Sequence, residues 1–249
     1  MFKNPKKIIV FADFRDFYSL EGLKIILKKK FFLVSAIITT KKNISEKKDF
    51  FKNIKIFYDG FPHKNKNIIN FIKKENIQLS ILTAFTNRIR YDFIKLFKQG
   101  IFNIHPAVLP SNKGSHSSFY TILNNTDIGA TLYLINKDFD SGPILDQTKI
   151  KNNIFFDAEY VYKKSRECGL KLLNKNLKNI YLNKFKTKLN KKTKINYKKN
   201  IIKFNVIEYN KKYSGKFFWN LIRAVHFKDN GFFIKIKNKK VKIIPKIIK

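Results

Sequence analysis

Residues 7–39 read KIIVFADFRDFYSLEGLKIILKKKFFLVSAIIT, and this stretch decides the fold. Lys7–Ala12 (KIIVFA) is a short apolar run of buried-strand type. Ser19 can cap a helix whose apolar positions Leu20, Leu23, Ile26 and Leu27 recur at helical spacing, ending in Lys28–Lys30. Phe32–Thr39 (FLVSAIIT) is the next buried strand. Strand, helix and strand without a hairpin turn predict a parallel, doubly wound α/β sheet. The chain begins basic and then turns apolar. The apolar run is short, however, and no small-residue cleavage site follows, so Ile8–Ala12 reads as a first strand and not as a signal peptide.

The pattern continues outward from there. A polar segment, Lys41–Lys48, leads to a strand at Ile54–Phe57. Helices are predicted at Asn67–Lys74 and Tyr91–Lys98, the second stopped by Gly100. Leu79–Phe85 and Ala130–Ile135 read as strands, and Asp157–Asn179 as a long helix. Residues 183–200, dominated by Lys, Asn and Thr, read as a low-complexity linker. Beyond it come a short helix, Phe217–Val225, and two strands, Gly231–Ile236 and Lys240–Ile244. No apolar stretch approaches the roughly 20 residues of a membrane span, so no membrane insertion is expected. The single Cys168 excludes an internal disulfide and a Cys-based zinc site, which suits the cytoplasm.

The 249-residue chain carries 53 basic and 17 acidic side chains, a formal charge of +36. Such an excess suits a polyanion, because lysines neutralise phosphates and release counterions. It is nonetheless broad: residues 1–150 hold 25 basic and 12 acidic groups, and residues 151–249 hold 28 and 5. Lysine also arrives with heavy Ile, Asn and Phe usage, the mark of a chain-wide drift in composition. Residues 101–150 depart from that background, with only Lys113, Lys137 and Lys149 and with Asp127, Asp138, Asp140 and Asp146. Chemistry is sought there first.

Asn103-Ile104-His105-Pro106 follows a buried strand. Residues two apart on a strand share a face, so Asn103 and His105 project together at its carboxyl end, where open α/β sheets hold ligands. An amide beside an imidazole supplies an oxyanion donor and a proton acceptor. Asp140 lies in the loop Lys137-Asp138-Phe139-Asp140-Ser141-Gly142-Pro143, and its carboxylate meets His105 if the two strands are neighbours. Each feature also has an ordinary reading: a lone loop His is commonly structural, and Asp before Ser-Gly-Pro is ordinary turn chemistry.

Three segments together carry a resemblance. They are Asn103-Ile104-His105-Pro106-Ala107-Val108-Leu109-Pro110 with Gly114, then Ile128-Gly129-Ala130-Thr131-Leu132, then Asp140-Ser141-Gly142-Pro143-Ile144. In order and separation they resemble the 10-formyltetrahydrofolate-dependent formyltransferases, best over residues 77–150 and diffusely over 1–180. The resemblance implies a Rossmann-like formyltransferase domain over 1–182, a Lys/Asn-rich linker over 183–200 and a small β-rich C-terminal domain over 201–249. It implies direct acyl transfer without a metal. The amine attacks the formyl carbon, Asn103 and protonated His105 stabilise the oxygen, and Asp140 orients His105 and helps take the amine proton. It also implies a pterin slot lined by Thr83, Ala84, Phe85, Arg88, Ile89, Asn136, Lys137 and Asp138. Pro106, Gly114, Ser115, His116 and Trp219 are expected to face the acceptor. A Ser and backbone N–H groups at a helix start suit a phosphate, although such a Ser is more often only a cap. Trp219 is more often core than a stacking platform.

The acceptor is the open choice. Trp219-Asn220-Leu221-Ile222-Arg223-Ala224, followed by Asp229-Asn230-Gly231-Phe232-Phe233, is similar to the tails of transfer-RNA and sugar formyltransferases. The glycinamide ribonucleotide enzymes generally lack such a tail. The short tail and the Ser115-His116-Ser117-Ser118-Phe119 loop favour a nucleotide-linked amino sugar. The basic C-terminal third suits initiator methionyl-tRNA, but Ala12-Asp13-Phe14-Arg15 and Ser111-Asn112-Lys113 depart from the transfer-RNA enzymes. A non-enzymatic reading remains, a basic RNA-binding protein on the same scaffold. Apolar residues in the tail could support a homodimer.

Overall fold

The computed structural model describes residues 4–40, 51, 53–85, 87–227 and 231–247. The whole polar segment expected at Lys41–Lys48, and Asp229 and Asn230 of the tail, lie outside them. Strand β1 (Lys6–Phe11), helix α1 (Phe17–Leu27) and strand β2 (Phe32–Thr39) form the predicted parallel unit, with Val10 opposite Ile37. Then follow β3 (Lys55–Tyr58), α2 (Lys66–Lys74), β4 (Leu79–Leu82), α3 (Tyr91–Ile94) and β5 (Ile101–His105). Next come β6 (Lys113–Gly114), α4 (Ser117–Leu123), β7 (Ile128–Leu134), β8 (Ile144–Ile150) and α5 (Ala158–Tyr181). The tail holds β9 (Ile195–Asn196), α6 (Lys198–Phe204), β10 (Val206–Glu208), α7 (Gly215–Val225), β11 (Phe232–Ile236) and β12 (Lys239–Ile243).

The main sheet has the order β3-β2-β1-β4-β5-β7-β8. It is parallel from β3 to β5, and β7 runs antiparallel to β5. The expected doubly wound, mostly parallel fold is present, with a small sheet β10-β11-β12 in the C-terminal part. From β1 the chain builds first towards β3 and then, beyond β1, towards β5. The order therefore reverses between β1 and β4, the kind of crevice in which open sheets take their ligands.

Two units are distinguishable by internal contacts. One comprises Met1–His105, Thr131–Gln147 and Gly169–Asn190; the other comprises Pro106–Ala130, Thr148–Cys168 and Lys191–Lys249. In the first, the period of two along β1 divides the core. Ile8 and Val10 pack with Leu23, Ile26, Leu173 and Leu177, whereas Ile9 and Phe11 pack with Ile68, Ile72, Phe93 and Ile101. A strand buried on both faces has no polar alternation, which is why KIIVFA reads as a continuous apolar run.

In the second unit, Phe119, Tyr120 and Ile122 of α4 pack with Leu221, Ala224 and Val225 of α7 and with Phe232. Arg223 is 1% exposed within it. Its guanidinium donates to the carbonyls of Asn153 and Phe156 and to Asn220 Oδ1, at 2.8, 2.6 and 2.6 Å. Burial lowers its pKa, and the charge of Asp157 acts in the opposite direction.

Several boundaries differ from expectation. Helix α1 is capped by Asp16, whose carboxylate accepts from Ser19 N at 2.8 Å; Ser19 itself is buried inside the helix. A carboxylate three residues upstream of that amide reaches it better than a side chain already inside the first turn. β4 stops at Leu82 and α3 at Ile94, and β8 had no prediction because Asp146, Gln147, Thr148 and Lys149 interrupt its apolar pattern.

The segment expected as a linker carries structure of its own, although the chain passes from the first unit to the second within it, between Asn190 and Lys191. Lys188 bridges to Ile144, Asn190 is buried, β9 pairs with β6, and α6 begins at Lys198. Composition misled here because this segment is held by main-chain bonds, and a Lys/Asn-rich backbone makes them as well as any other. Ser115 N and Lys113 Nζ donate to the carbonyls of Asn196 and Lys191, at 2.9 and 3.0 Å. Gly114 has φ +92°, and a Cβ there would stand 2.2 Å from the Asn196 carbonyl oxygen. Only glycine permits that approach.

Candidate active site

Asn103 and His105 stand two residues apart at the carboxyl end of β5. Antiparallel pairing sets Asn103 opposite Tyr133 and His105 opposite Thr131. Directly opposed residues share a face, so four polar side chains gather at one strand end. The chain then turns beyond β7 and returns Asp140 to the same place. Asp140 Oδ2 lies 3.5 Å from His105 Nδ1, and its Oδ1 accepts from the Tyr133 hydroxyl at 2.6 Å. The Asn103 amide donates to that hydroxyl at 2.9 Å. His105 is 6% exposed. Gln147 Nε2 donates to Thr131 Oγ1 at 3.0 Å beside this row.

Asp140 has φ +46°, a left-handed backbone that non-glycine residues adopt rarely, Asp and Asn most readily among them. Its loop is fixed at several points. The Asn190 amide donates to the carbonyls of Asp140 and Gly142 at 2.9 and 3.1 Å. Ser141 Oγ donates to the Phe139 carbonyl at 2.8 Å. Gly142 is packed against the end of β7, where a Cβ would fall 1.7 Å from the Leu134 carbonyl oxygen and 3.3 Å from Asn136 N. A methyl group there must push backbone aside, so Gly142→Ala is expected to cost about 1–3 kcal/mol. Thermal denaturation should show Tm lowered by several degrees; an unchanged Tm would mean that the loop can yield freely.

Tyr133 is the residue with the strongest perturbation in this cluster. Burial first, then the charge of Asp140 and the bond to it, raise its pKa well above 10, with Asn103 opposing. Its hydroxyl therefore stays neutral and stays a donor at any working pH.

The residues expected to hold a cofactor lie on two loops that meet. Thr83 leaves β4 at the sheet's reversal; its amide donates to the Phe11 carbonyl at 2.9 Å, and its hydroxyl lies 2.8 Å from Ser19 Oγ. Ala84 follows, and Phe85 sets its ring edge-on to Phe11, with centroids 5.0 Å apart. Ile89 is buried. Arg88 donates to the Lys137 carbonyl at 3.0 Å and lies over the Phe139 ring at 5.3 Å, joining this loop to the second. In that second loop Asn136 accepts from Asp138 N at 3.0 Å. A cavity of about 590 Å³ opens alongside, lined by Phe61, His63, Lys64, Arg88, Arg90, Tyr91, Asp92 and Lys137. Asn103, His105 and Asp140 do not line it.

The residues expected to face an acceptor belong to the second unit. Pro106 follows directly on His105 in the chain, and Gly114 and Ser115 are held against Asn196, Ser115 Oγ donating to its carbonyl at 3.3 Å. His116, with φ +58°, occupies the N-cap position of α4 and makes no side-chain capping bond. Ser115 is thus neither the cap nor an unused hydroxyl. Trp219 is 38% exposed, with its indole N–H on the Ile154 carbonyl at 2.9 Å, and so is not a core residue.

Sequence reasoning missed Tyr133 and Asn190. Tyr133 becomes conspicuous only once β7 is aligned against β5, and Asn190 sits in the segment dismissed as a linker.

Fold and geometry define the class first: an open α/β protein with a partly buried amide–phenol–carboxylate–imidazole cluster at a strand's carboxyl end, one strand beyond the sheet's switch point. The model of the formyl transferase family matches residues 35–177, and this chain belongs to that family. Over 244 residues, 94% of this chain, it is 30% identical to the bifunctional polymyxin resistance protein ArnA of Wigglesworthia glossinidia brevipalpis, of which the match covers 37%. The fold matches a 4-N formyltransferase from Francisella tularensis with TM-score 0.81 and 23% identity, covering 98% of both chains. It matches the Helicobacter canadensis N-formyltransferase, in complex with folinic acid and dTDP-3-aminofucose, with TM-score 0.70 and 24% identity over 95% of this chain and 86% of that one. The chain spans little more than a third of the length of the first curated relatives, methionyl-tRNA formyltransferases among them. Among the described residues no helix is long and apolar enough to cross a membrane.

Proposed function

We propose that this chain transfers a formyl group from 10-formyltetrahydrofolate to the primary amine of a nucleotide-linked amino sugar, in the cytoplasm. The observation that carries the reading is the approach of Asp140 to His105 from a separate loop, at 3.5 Å, with Asn103 joined to the same carboxylate through Tyr133. The amine attacks the formyl carbon, and negative charge gathers on the formyl oxygen. Asn103 and protonated His105 stabilise that oxygen from fixed positions, where no reorganisation is needed as charge develops. As the intermediate collapses, the bond to folate N10 breaks and its electron pair returns to that nitrogen. Asp140 orients His105 and accepts the amine proton, directly or through water, and folate N10 is protonated on leaving. The folate would lie along Thr83, Ala84, Phe85, Arg88, Ile89, Asn136, Lys137 and Asp138. Pro106, Gly114, Ser115, His116 and Trp219 would serve the acceptor.

An amino-sugar acceptor is supported by fold likeness across nearly the whole of both chains to a 4-N formyltransferase, and to a protein complexed with dTDP-3-aminofucose. Initiator methionyl-tRNA is the second reading, favoured by methionyl-tRNA formyltransferases among the relatives and by the basic C-terminal third. One assay decides. Purified protein and 10-formyltetrahydrofolate are offered dTDP- or UDP-linked amino sugars in one arm and charged initiator transfer RNA in the other. Formylation of a sugar nucleotide alone is expected; formylation of the RNA alone overturns the preferred acceptor.

A further inference from the structure

We infer that Tyr133 is a positioning residue, whose hydroxyl fixes both the orientation of the Asn103 amide and the placement of the Asp140 carboxylate against His105. The inference rests on the reading just given and adds a residue to that site.

The argument is one of hydrogen-bond direction. An ionised carboxylate can only accept, a phenol has one hydrogen to give, and an amide has two different ends. Asp140 Oδ1 takes the Tyr133 hydrogen at 2.6 Å. The Tyr133 oxygen is thereby left as an acceptor, and its neighbour across the strands must offer a donor. Asn103 consequently presents its NH₂ end, at 2.9 Å, and not its carbonyl. One amide hydrogen goes to Tyr133; the other remains as the donor that an oxyanion requires. A phenylalanine would leave the amide equally content either way round, and the wrong end turned towards a developing oxyanion repels it. At the other end of the chain of bonds, the carboxylate is held by one oxygen so that its second faces His105 Nδ1 at 3.5 Å. Burial and the Asp140 charge keep the phenol neutral, so the direction of the chain does not reverse with pH. The Asn190 amide reaches the main-chain carbonyls of the Asp140 loop, and Gln147 bonds Thr131, whereas the Tyr133 hydroxyl joins the Asn103 amide to the Asp140 carboxylate.

Tyr133→Phe keeps the ring and removes only the hydroxyl. The first readout needs no acceptor: long-range ¹⁵N–¹H spectra of the imidazoles of the full chain. The His105 signals should move on substitution while those of His63, His116 and His226 stay in place; unmoved His105 signals overturn the inference. In the unmodified protein, the Tyr133 hydroxyl proton should be slow to exchange and close to the Asn103 side-chain amide, and a rapidly exchanging proton also overturns it. This measurement decides the matter if the Phe variant does not fold. With the acceptor found above, kcat should fall about 10- to 100-fold, the scale on which small misplacements act, with KM for folate and amine unchanged. Unchanged kcat, or a loss confined to KM, sinks the positioning role. In an Asp140→Asn background the substitution should cost little more; an undiminished cost would mean that Tyr133 acts apart from Asp140. Absence of turnover with any acceptor in the unmodified protein counts against formyl transfer alone, and the imidazole spectra still decide the role of Tyr133.

Discussion

Asn103→Ala should lower the turnover of formyl transfer by about 10²–10³, the cost of losing one oxyanion donor, while leaving the protein folded. The fold should survive because the substitution leaves no buried donor stranded. The Tyr133 hydroxyl still gives its hydrogen to Asp140, and the β5 backbone keeps its pairing with β4 and β7. The amide lost is the one that would meet the formyl oxygen, so the loss falls on kcat and not on the KM for folate, whose expected residues lie on the 83–90 and 136–138 loops. Steady-state kinetics beside a thermal melt separates the outcomes. The same variant addresses the non-enzymatic reading, since a basic RNA-binding protein would be indifferent to it and would bind unrelated RNA with steep salt dependence. Wild-type turnover in Asn103→Ala would end the proposed mechanism.

What the sequence made legible follows from what its signals encode. The parallel sheet was readable because KIIVFA, FLVSAIIT and the interposed Leu20, Leu23, Ile26 and Leu27 obey periods of two and of 3.6 residues, which depend on local geometry alone. Asn103 and His105 were readable as candidates because residues two apart on a strand share a face, in a window that escapes the lysine enrichment, and Asp140 because three segments in order resemble one family. Tyr133 was not, because its importance depends on β7 lying antiparallel to β5 in one register, with Asn103 opposite, and strand pairing is a long-range fact. Asn190 and Lys113 were hidden for a different reason. The Lys/Asn-rich composition around Asn190 predicts solvent exposure, and a single lysine predicts it anywhere, yet the Asn190 amide binds the carbonyls of Asp140 and Gly142, and Lys113, 1% exposed, spends its ammonium on the Lys191 carbonyl. Composition describes side chains in the mean; these two act singly, through main-chain atoms. Arg223 is the converse. A familiar-looking Ile-Arg-Ala sequence suggested a feature shared with relatives, and the structure gives the arginine a local task, to satisfy the carbonyls of Asn153 and Phe156 inside the second unit.

The second large effect is expected at Asp140, and the choice of substituent matters. Alanine at φ +46° would add backbone strain to the loss of the carboxylate, whereas asparagine adopts the left-handed conformation about as readily as aspartate. Asp140→Asn therefore isolates the chemistry. Its Oδ1 can still accept from the Tyr133 hydroxyl, which pins the amide so that NH₂ replaces Oδ2 in front of His105 Nδ1, the pair now 3.5 Å apart. Two N–H groups cannot face each other there, so the protonated imidazole must give up its Nδ1 hydrogen and with it its charge, or turn away. Either result takes from His105 the charge or the orientation with which it stabilises the formyl oxygen, and the carboxylate that accepts the amine proton is gone as well. Turnover should fall by roughly 10²–10⁴, with the KM for folate little changed and the melt within a few degrees of the parent. The imidazole spectrum should report the lost Nδ1 hydrogen or the turned ring of His105 directly. A variant that keeps the His105 Nδ1 hydrogen and full activity would show that Asp140 serves its loop alone, and the acid–base role would have to pass to another group.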